Sequence, residues 1–271
     1  MSTPESLLII AGNGDYPFQM AKAARRHGVR RICVAAFQNE TDPRLAELVD
    51  DIRWLRVGQI GQLTAYAKES GARDAVMVGQ IAPKNLFDLR PDFGALLILA
   101  RLRERNAETL FGAVADTLAQ AGVTVLPATT FLDDFLAPVG HFGGPKPARR
   151  IQDDVAFGLR IAKETSRLDI GQTVVVRKGT VLAVEAFEGT NEAIKRGAAL
   201  GRGQAVAVKV SKPGQDFRFD VPVIGPLTIE TGALAGLAAL AVEAGRTLLI
   251  DPERLRAAAA EHRISLLGVT V

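Results

Sequence analysis

Cysteine is almost absent from this sequence. Cys33 is the single example in 271 residues, so no internal disulfide can form, and a reducing compartment suits the chain. It lies in the apolar run RICVAAF, where a small core residue belongs. Histidine is scarce too, with His27, His141 and His262 scattered along the chain, which argues against an ordinary zinc site. Long apolar runs are missing: no stretch reaches the roughly 18 uninterrupted apolar residues of a membrane span. The start, MSTPESLLIIAG, has no basic region and carries Glu5, so it does not read as a signal peptide. Neither charge sign is in excess, with 33 basic against 30 acidic residues, and electrostatics alone gives no case for nucleic-acid binding. There is no Walker A motif, no Ser-His-Asp arrangement assignable by spacing, no internal repeat and no low-complexity segment.

What is there is a globular composition, 48% hydrophobic and 23% charged, in a length that suits two domains. From residue 7, short β-branched runs (LLIIAG, RICVAAF, DAVMVGQI) alternate with helical ones (YPFQMAKAARRHG, IGQLTAYAKESG). That alternation predicts a parallel sheet covered on both faces, an α/β domain of Rossmann-like type over residues 1–136. Gly28 and Gly71 fall where helix C-caps belong. Further helices are expected near 94–105 and 107–121. The segment APVGHFGGPKPARR, with three Gly and three Pro, reads as an irregular linker over 137–150. A second, mixed α/β domain over 151–271 follows, with a hairpin turning at Lys178-Gly179 and an Ala-rich helix from Pro226 to Ala244. The ligand cleft is expected between the two domains.

Four stretches could carry chemistry. AGNGDYP joins the first strand to the first helix, where N–H groups and the helix dipole favour an anion, and Gly12, Asn13 and Gly14 would let a phosphate approach. It is half of a dinucleotide fingerprint only: Pro17 stands at the third glycine, and no acid is seen at a clean strand end about 20 positions on. GQIAPKNLFD follows a strand at its carboxyl edge, which makes Lys84 a phosphate partner or a solvated loop lysine. VEAFEGTNEAI places Glu185 in a strand and Glu188 at its end, with Thr190 and Asn191 starting a helix. KPGQDFRFDVPVIG alternates Asp216, Arg218 and Asp220 with Phe217, Phe219 and Val221, the pattern of an extended segment with one charged face. On an ideal strand Asp216 and Asp220 stand about 13 Å apart, too far to share one metal ion, and Asp220 before Val221-Pro222 is the better ligand. Hard carboxylate oxygens suit Mg²⁺ or Mn²⁺.

With these motifs in this order, the chain resembles, along nearly its whole length, the LpxI-type UDP-2,3-diacylglucosamine pyrophosphatases of lipid A biosynthesis. The last motif is the most specific. The resemblance implies two domains that hold the lipid product between them, and a metal-dependent hydrolysis giving UMP and 2,3-diacylglucosamine 1-phosphate (lipid X). It makes Asp220 of RFDVP the essential metal-associated aspartate, with Asp216 the alternative. Where the family pattern reads EGTDE, this chain has Asn191, an amide that could still bind phosphate or sugar. Physical reading and resemblance together assign Asp220 and Asp216 to catalysis and Asp220 with Glu188 to the metal. Lys212 and Arg218 would take the phosphates, and Gly12–Gly14, Lys84, Thr190 and Asn191 the rest of the substrate. An apolar groove for acyl chains is expected on FGALLILARLRERN or TGALAGLAALAVEAG. The resemblance places the protein in the cytoplasm, peripheral to the inner membrane through transient contact, with a homodimer left open. The rivals are a non-catalytic UDP-sugar or lipid sensor and a nucleotide-dependent oxidoreductase.

Overall fold

The strand-helix alternation of the first 80 residues produces a five-stranded parallel sheet, seen in a computed structural model that describes residues 3–81, 92, 94–96 and 107–271. Its elements are β1 (Ser6–Ala11), α1 (Tyr16–Arg26), β2 (Arg31–Phe37), β3 (Asp51–Leu55), α2 (Ile60–Glu69), β4 (Asp74–Val78), α3 (Ala107–Gln120) and β5 (Thr124–Val125). The strand order is β3-β2-β1-β4-β5, with every pairing parallel. β1 and β2 are continuous apolar runs because both faces are covered, as parallel strands require. One face packs Leu8, Ile10, Cys33 and Ala35 against Leu63 and Tyr66 of α2 and Ala115 and Leu118 of α3. Burial pushes the Cys33 thiol up, as expected of an inert core residue. Gly28 and Gly71 do follow helix ends, at φ 89° and 70°, in the left-handed region that a side chain resists. The helix expected near 94–105 falls largely outside the described residues, as do Lys84 and most of FGALLILARLRERN.

The rest of the chain builds a six-stranded mixed sheet and a two-stranded one. Its elements are β6 (Gly140–Gly143), α4 (Arg149–Arg167), β7 (Thr173–Arg177), β8 (Thr180–Val184), α5 (Thr190–Leu200), β9 (Ala205–Lys209) and β10 (Val223–Ile224). They are followed by α6 (Pro226–Ala235), β11 (Leu237–Glu243), β12 (Leu248–Leu249), α7 (Pro252–Glu261) and β13 (Ser265–Val269). The order is β6-β13-β11-β9-β7-β8, and β10 pairs in parallel with β12. On one face α4 buries Ile151, Val155 and Ala162 against β7, β9 and β11. Gly158 makes that approach possible, because a Cβ there would stand 2.7 Å from Val208 Cγ2. On the other face Ile194, Ala198, Ile229, Leu255 and Ala259 of α5, α6 and α7 meet Val175, Ala207 and Leu240. The hairpin turn at Lys178-Gly179 is present with both residues at positive φ, 48° and 68°. Asp154 of α4 accepts from both turn N–H groups at 2.9 Å.

Three expectations are corrected. The Gly/Pro-rich segment 137–150 is not irregular throughout, since Gly140–Gly143 is an edge strand antiparallel to β13. Gly144 serves close approach, since a Cβ there would lie 1.9 Å from Ile264 O, while Gly140 supplies a positive φ of 90° with open space around it. The Ala-rich helix stops at Ala235, where Gly236 at φ 82° caps it, and Leu237–Glu243 becomes a buried strand between two parallel neighbours. This half of TGALAGLAALAVEAG is therefore core and offers no acyl groove. The stretch around Asp216–Asp220 is not extended. Asp216 O accepts from Phe219 N at 3.3 Å and from Asp220 N at 2.9 Å, and Asp216 Oδ1 accepts from Arg218 N at 3.0 Å. Those local bonds close a turn that a strand could not make.

By contact the chain divides into unit 1, Met1–Asp133 with Asp216–Asp220, and unit 2, Asp134–Gln215 with Val221–Val271. The five-residue turn that the sequence assigns to the second domain packs with the first. Ala128 N donates to Phe217 O at 2.7 Å, and Phe219 lies against Phe111 with ring centroids 5.9 Å apart.

Candidate functional site

In unit 1 the carboxyl ends of the parallel strands gather the loops, as open α/β sheets do at their ligand edge. Gly12 N donates to Val78 O and Asn13 N to Gln80 O, both at 2.8 Å, so the loops after β1 and β4 run backbone to backbone. A Cβ on Gly12 would stand 2.4 Å from Gln80 O, and one on Gly79 2.7 Å from Asn13 O. The glycines of AGNGDYP and of GQIAPKNL are thus two halves of one contact. With the first two N–H groups committed, the donors left for a ligand are those from Gly14 onward at the start of α1. There Asp15 makes no side-chain cap and no acid occupies the first turn.

Tyr16, the first residue of α1, donates its hydroxyl to Ala128 O at 2.6 Å, and burial raises its phenol well above the ordinary tyrosine range. Ala128 N holds Phe217 O, so a single residue past β5 links the start of α1 to the Asp216–Asp220 turn. The structure therefore brings Gly12, Asn13, Gly14, Asp216, Arg218 and Asp220 to the carboxyl side of one sheet. Within the turn Asp216 and Arg218 form a fork. Nε lies 3.0 Å from both carboxylate oxygens and Nη2 2.6 Å from Oδ2, while Nη1 lies 3.9 Å from Asp116 of α3. Hydrogen bonds from the Arg218 side chain hold the Asp216 carboxyl below its ordinary range, and Asp216 in turn raises Arg218. Sequence reasoning missed Glu40, three residues past β2 and 8% exposed, whose Oε2 accepts from Asn13 Nδ2 at 2.6 Å. An acid does follow the second strand; its offset from the fingerprint position hid it.

Unit 2 holds the other candidates. β8 ends at Val184, so Glu185 lies just past the strand and not in it. Its Oε1 accepts from Thr190 Oγ1 at 2.8 Å, Lys209 Nζ donates to Thr190 Oγ1 at 2.9 Å, and Oε2 is buried with no hydrogen-bond partner. Lys209, at the end of β9, looked like any strand-terminal lysine in the sequence. Thr190 and Asn191 open α5 behind Gly189, which has φ 85°. Lys212 Nζ lies 3.1 Å from Asp169 Oδ1. Lys212, Asp169, Gln172, Glu185 and Ala186 line a cavity of about 190 Å³. Glu188 is turned elsewhere: Oε1 accepts from Arg196 Nη2 at 2.6 Å and Oε2 from Ala186 N at 3.1 Å, and the Arg196 hydrogen bond first of all lowers its pKa.

The carboxylates differ in how they fit Mg²⁺ or Mn²⁺. No cluster of three or more His, Cys, Asp or Glu suited to a metal occurs among the described residues. Glu188 is paired with Arg196, and Asp216 gives both oxygens to Arg218. A carboxylate such as that of Asp220 is a hard oxygen donor of the kind such an ion takes, with phosphate oxygens and water as the usual remainder of the shell.

Two family descriptions match consecutive parts of the chain, the LpxI N-terminal domain over residues 6–135 and the LpxI C-terminal domain over residues 138–267. A relative from Caulobacter vibrioides, named UDP-2,3-diacylglucosamine pyrophosphatase LpxI, is 33% identical over 273 residues that span 96% of each chain. Among solved structures, the biotin carboxylase subunit of pyruvate carboxylase covers 67% of this chain and 35% of its own, at 15% identity and a TM-score of 0.28. The structure described as gox2253 covers 98% of this chain and 89% of its own, at 11% identity and a TM-score of 0.32.

Proposed function

The chain belongs to the LpxI family, and from that membership we infer that it is a UDP-2,3-diacylglucosamine pyrophosphatase of lipid A biosynthesis. It hydrolyses the pyrophosphate bond of UDP-2,3-diacylglucosamine to UMP and 2,3-diacylglucosamine 1-phosphate. The observation that carries this reading is collinearity: both halves match in order, and the named relative aligns over 96% of both chains.

Pyrophosphate hydrolysis needs the charge on non-bridging oxygens neutralised and a water held in line. We propose that the N–H groups from Gly14 onward take the nucleotide side of the substrate, with Gly12 and Asn13 holding the loop. Lys212 and the Nη1 edge of Arg218 take phosphate oxygens, and Lys84 is a further phosphate partner. Thr190 and Asn191 contact the sugar or its phosphate. Asp216 keeps Arg218 aimed, and Asp220 is the acid that binds Mg²⁺ or Mn²⁺. When bound, such an ion supplies charge neutralisation and lowers the pKa of a coordinated water. The diacylated substrate makes the inner membrane surface the source from which the protein draws, so we place it in the cytoplasm with transient contact there. No described helix is long and apolar enough to cross a membrane. A homodimer remains part of the proposal, to be decided by equilibrium sedimentation.

The test is release of UMP from UDP-2,3-diacylglucosamine with Mg²⁺, with Mn²⁺ and with a chelator, beside an Asp220→Ala variant whose circular dichroism shows it folded. Metal-dependent release that disappears in the variant is the expected result. Tight binding of substrate without release under either metal would overturn the hydrolase reading in favour of a sensor.

A further inference from the structure

A charged cluster gathers around a buried glutamate in unit 2, among residues given no role above. Glu243 closes β11 with 6% exposure, and Lys163 lies near the end of α4. Lys163 Nζ donates to Glu243 Oε2 at 2.8 Å and to the carbonyl of Ser211 at 3.0 Å. The same Oε2 accepts from the N–H and the hydroxyl of Ser211, each at 2.8 Å. Arg246 Nε donates to Ser211 Oγ at 2.7 Å and lies 3.3 Å from Glu243 Oε1. Every polar atom of Ser211, itself 1% exposed, is thus bonded to this cluster. Burial alone would raise the Glu243 carboxyl, but the bonds from Lys163 and Ser211 outweigh it and hold the group ionised.

The place of the cluster in the chain gives it meaning. β9 ends at Lys209, Val210 N makes one more bond to Gln172 O at 3.0 Å, and beyond it no strand pairing holds the chain. Ser211 is the next residue, and Lys212 follows it into the cavity it shares with Asp169 and Glu185. A buried ion pair is a poor stabiliser, since two apolar side chains of similar volume often serve the fold as well or better. Apolar contact is non-directional, however, whereas charge-assisted hydrogen bonds from both sides fix a backbone in orientation. We propose that the Lys163–Glu243 pair is a positioning device that, through Ser211, sets the direction in which Lys212 enters the cavity to meet a substrate phosphate. The proposal rests on the hydrolase reading and on the role of Lys212 within it.

Two variants of the full-length protein test it, Glu243→Gln and the apolar replacement Lys163→Met/Glu243→Leu, read by amide hydrogen exchange over residues 211–215 and by steady-state UMP release. The double variant is expected to lose exchange protection over 211–215 by about tenfold while β9 and β11 keep theirs. Its kcat should fall by roughly tenfold to a hundredfold with KM changed less than about threefold, because a misaimed cation is felt in the transition state. In Glu243→Gln the amide oxygen still accepts from Ser211 N–H, so both losses should be partly restored. A thermal midpoint that drops while kcat per folded molecule and protection over 211–215 stay at wild-type values would assign the pair to stability alone and overturn the proposal. If the double variant does not fold, wild-type protection and kcat in Glu243→Gln would overturn it equally. Exchange reports on the loop whether or not UMP is released. A wild type that releases no UMP refutes the hydrolase reading, and an active wild type with variants that match it refutes the positioning role.

Discussion

Asp216 and Asp220 share one turn, and Arg218 between them is committed to Asp216. The guanidinium is spent on Asp216 through Nε and Nη2, a planar fork against a carboxylate that is stronger than a single charge contact. Because those bonds lower the Asp216 pKa, the folded state binds its proton more weakly than the unfolded chain. The stabilisation is therefore complete above the unfolded value of about 3.9 and is lost as pH falls through the lower folded value. Urea midpoints of wild type and Asp216→Asn should differ at pH 6 and converge as the pH is brought well below 4. A difference that persists unchanged in acid would mean that Asp216 acts by packing and not by charge. The carboxylate of Asp154 belongs at this scale too. It is 3% exposed and accepts from both N–H groups of the Lys178-Gly179 turn, so Asp154→Ala should cost about 2 kcal/mol in unfolding free energy, measured by urea titration.

At the scale of elements, the paired loops after β1 and β4 are where sequence and geometry meet most tightly. Gly12 and Gly79 look like flexible residues of two separate motifs, but each is there because the other loop's backbone lies under its missing side chain. Gly79 also sits at φ 90°, so it carries both constraints, whereas Gly14 at φ 85° would have a Cβ that meets nothing within 4 Å, and only conformational strain opposes a side chain there. Gly12→Ala and Gly79→Ala should each lose about 2 to 3 kcal/mol, since a backbone carbonyl cannot move aside cheaply. Gly14→Ala should lose about 1 kcal/mol. Thermal midpoints of the three variants, compared with wild type, check that ranking. The edge strand Gly140–Gly143 has a glycine-rich sequence that reads as a linker because its pairing partner, β13, lies far along the chain.

At the scale of the whole molecule, the chain leaves unit 2 at Gln215 and rejoins it at Val221, leaving five residues with unit 1. Phe219 packs against the buried core of unit 1, as Phe111 and Val114 do, and Phe217 O satisfies Ala128 N. Replacing Asp216–Asp220 by five glycines should therefore lower the urea midpoint of unit 1, followed by exchange in β1 and β4, and leave β9 and β11 of unit 2 unaffected. Equal loss in both units would show that the segment matters in some other way.

The sequence by itself determined the parallel sheet of unit 1, the Lys178-Gly179 hairpin, the buried cysteine and, through four motifs in order, the family. Each of these rests on local signals: period, turn residues, composition and residue identity, which neighbouring positions alone can express. Only the tertiary structure decided that Asp216–Asp220 is a turn and not a strand, that Leu237–Glu243 is a strand and not a helix, and that Asn13 is held by Glu40 and Glu188 by Arg196. Alternating charges and aromatics satisfy a strand or a turn equally well, and an Ala-rich run satisfies a helix or a buried strand. The choice falls to partners distant in sequence, Ala128 and Phe111 for the first and the flanking strands β9 and β13 for the second. Their hydrogen bonds and burial outweigh local propensity, which differs between such states by only about 1 kcal/mol per residue or less.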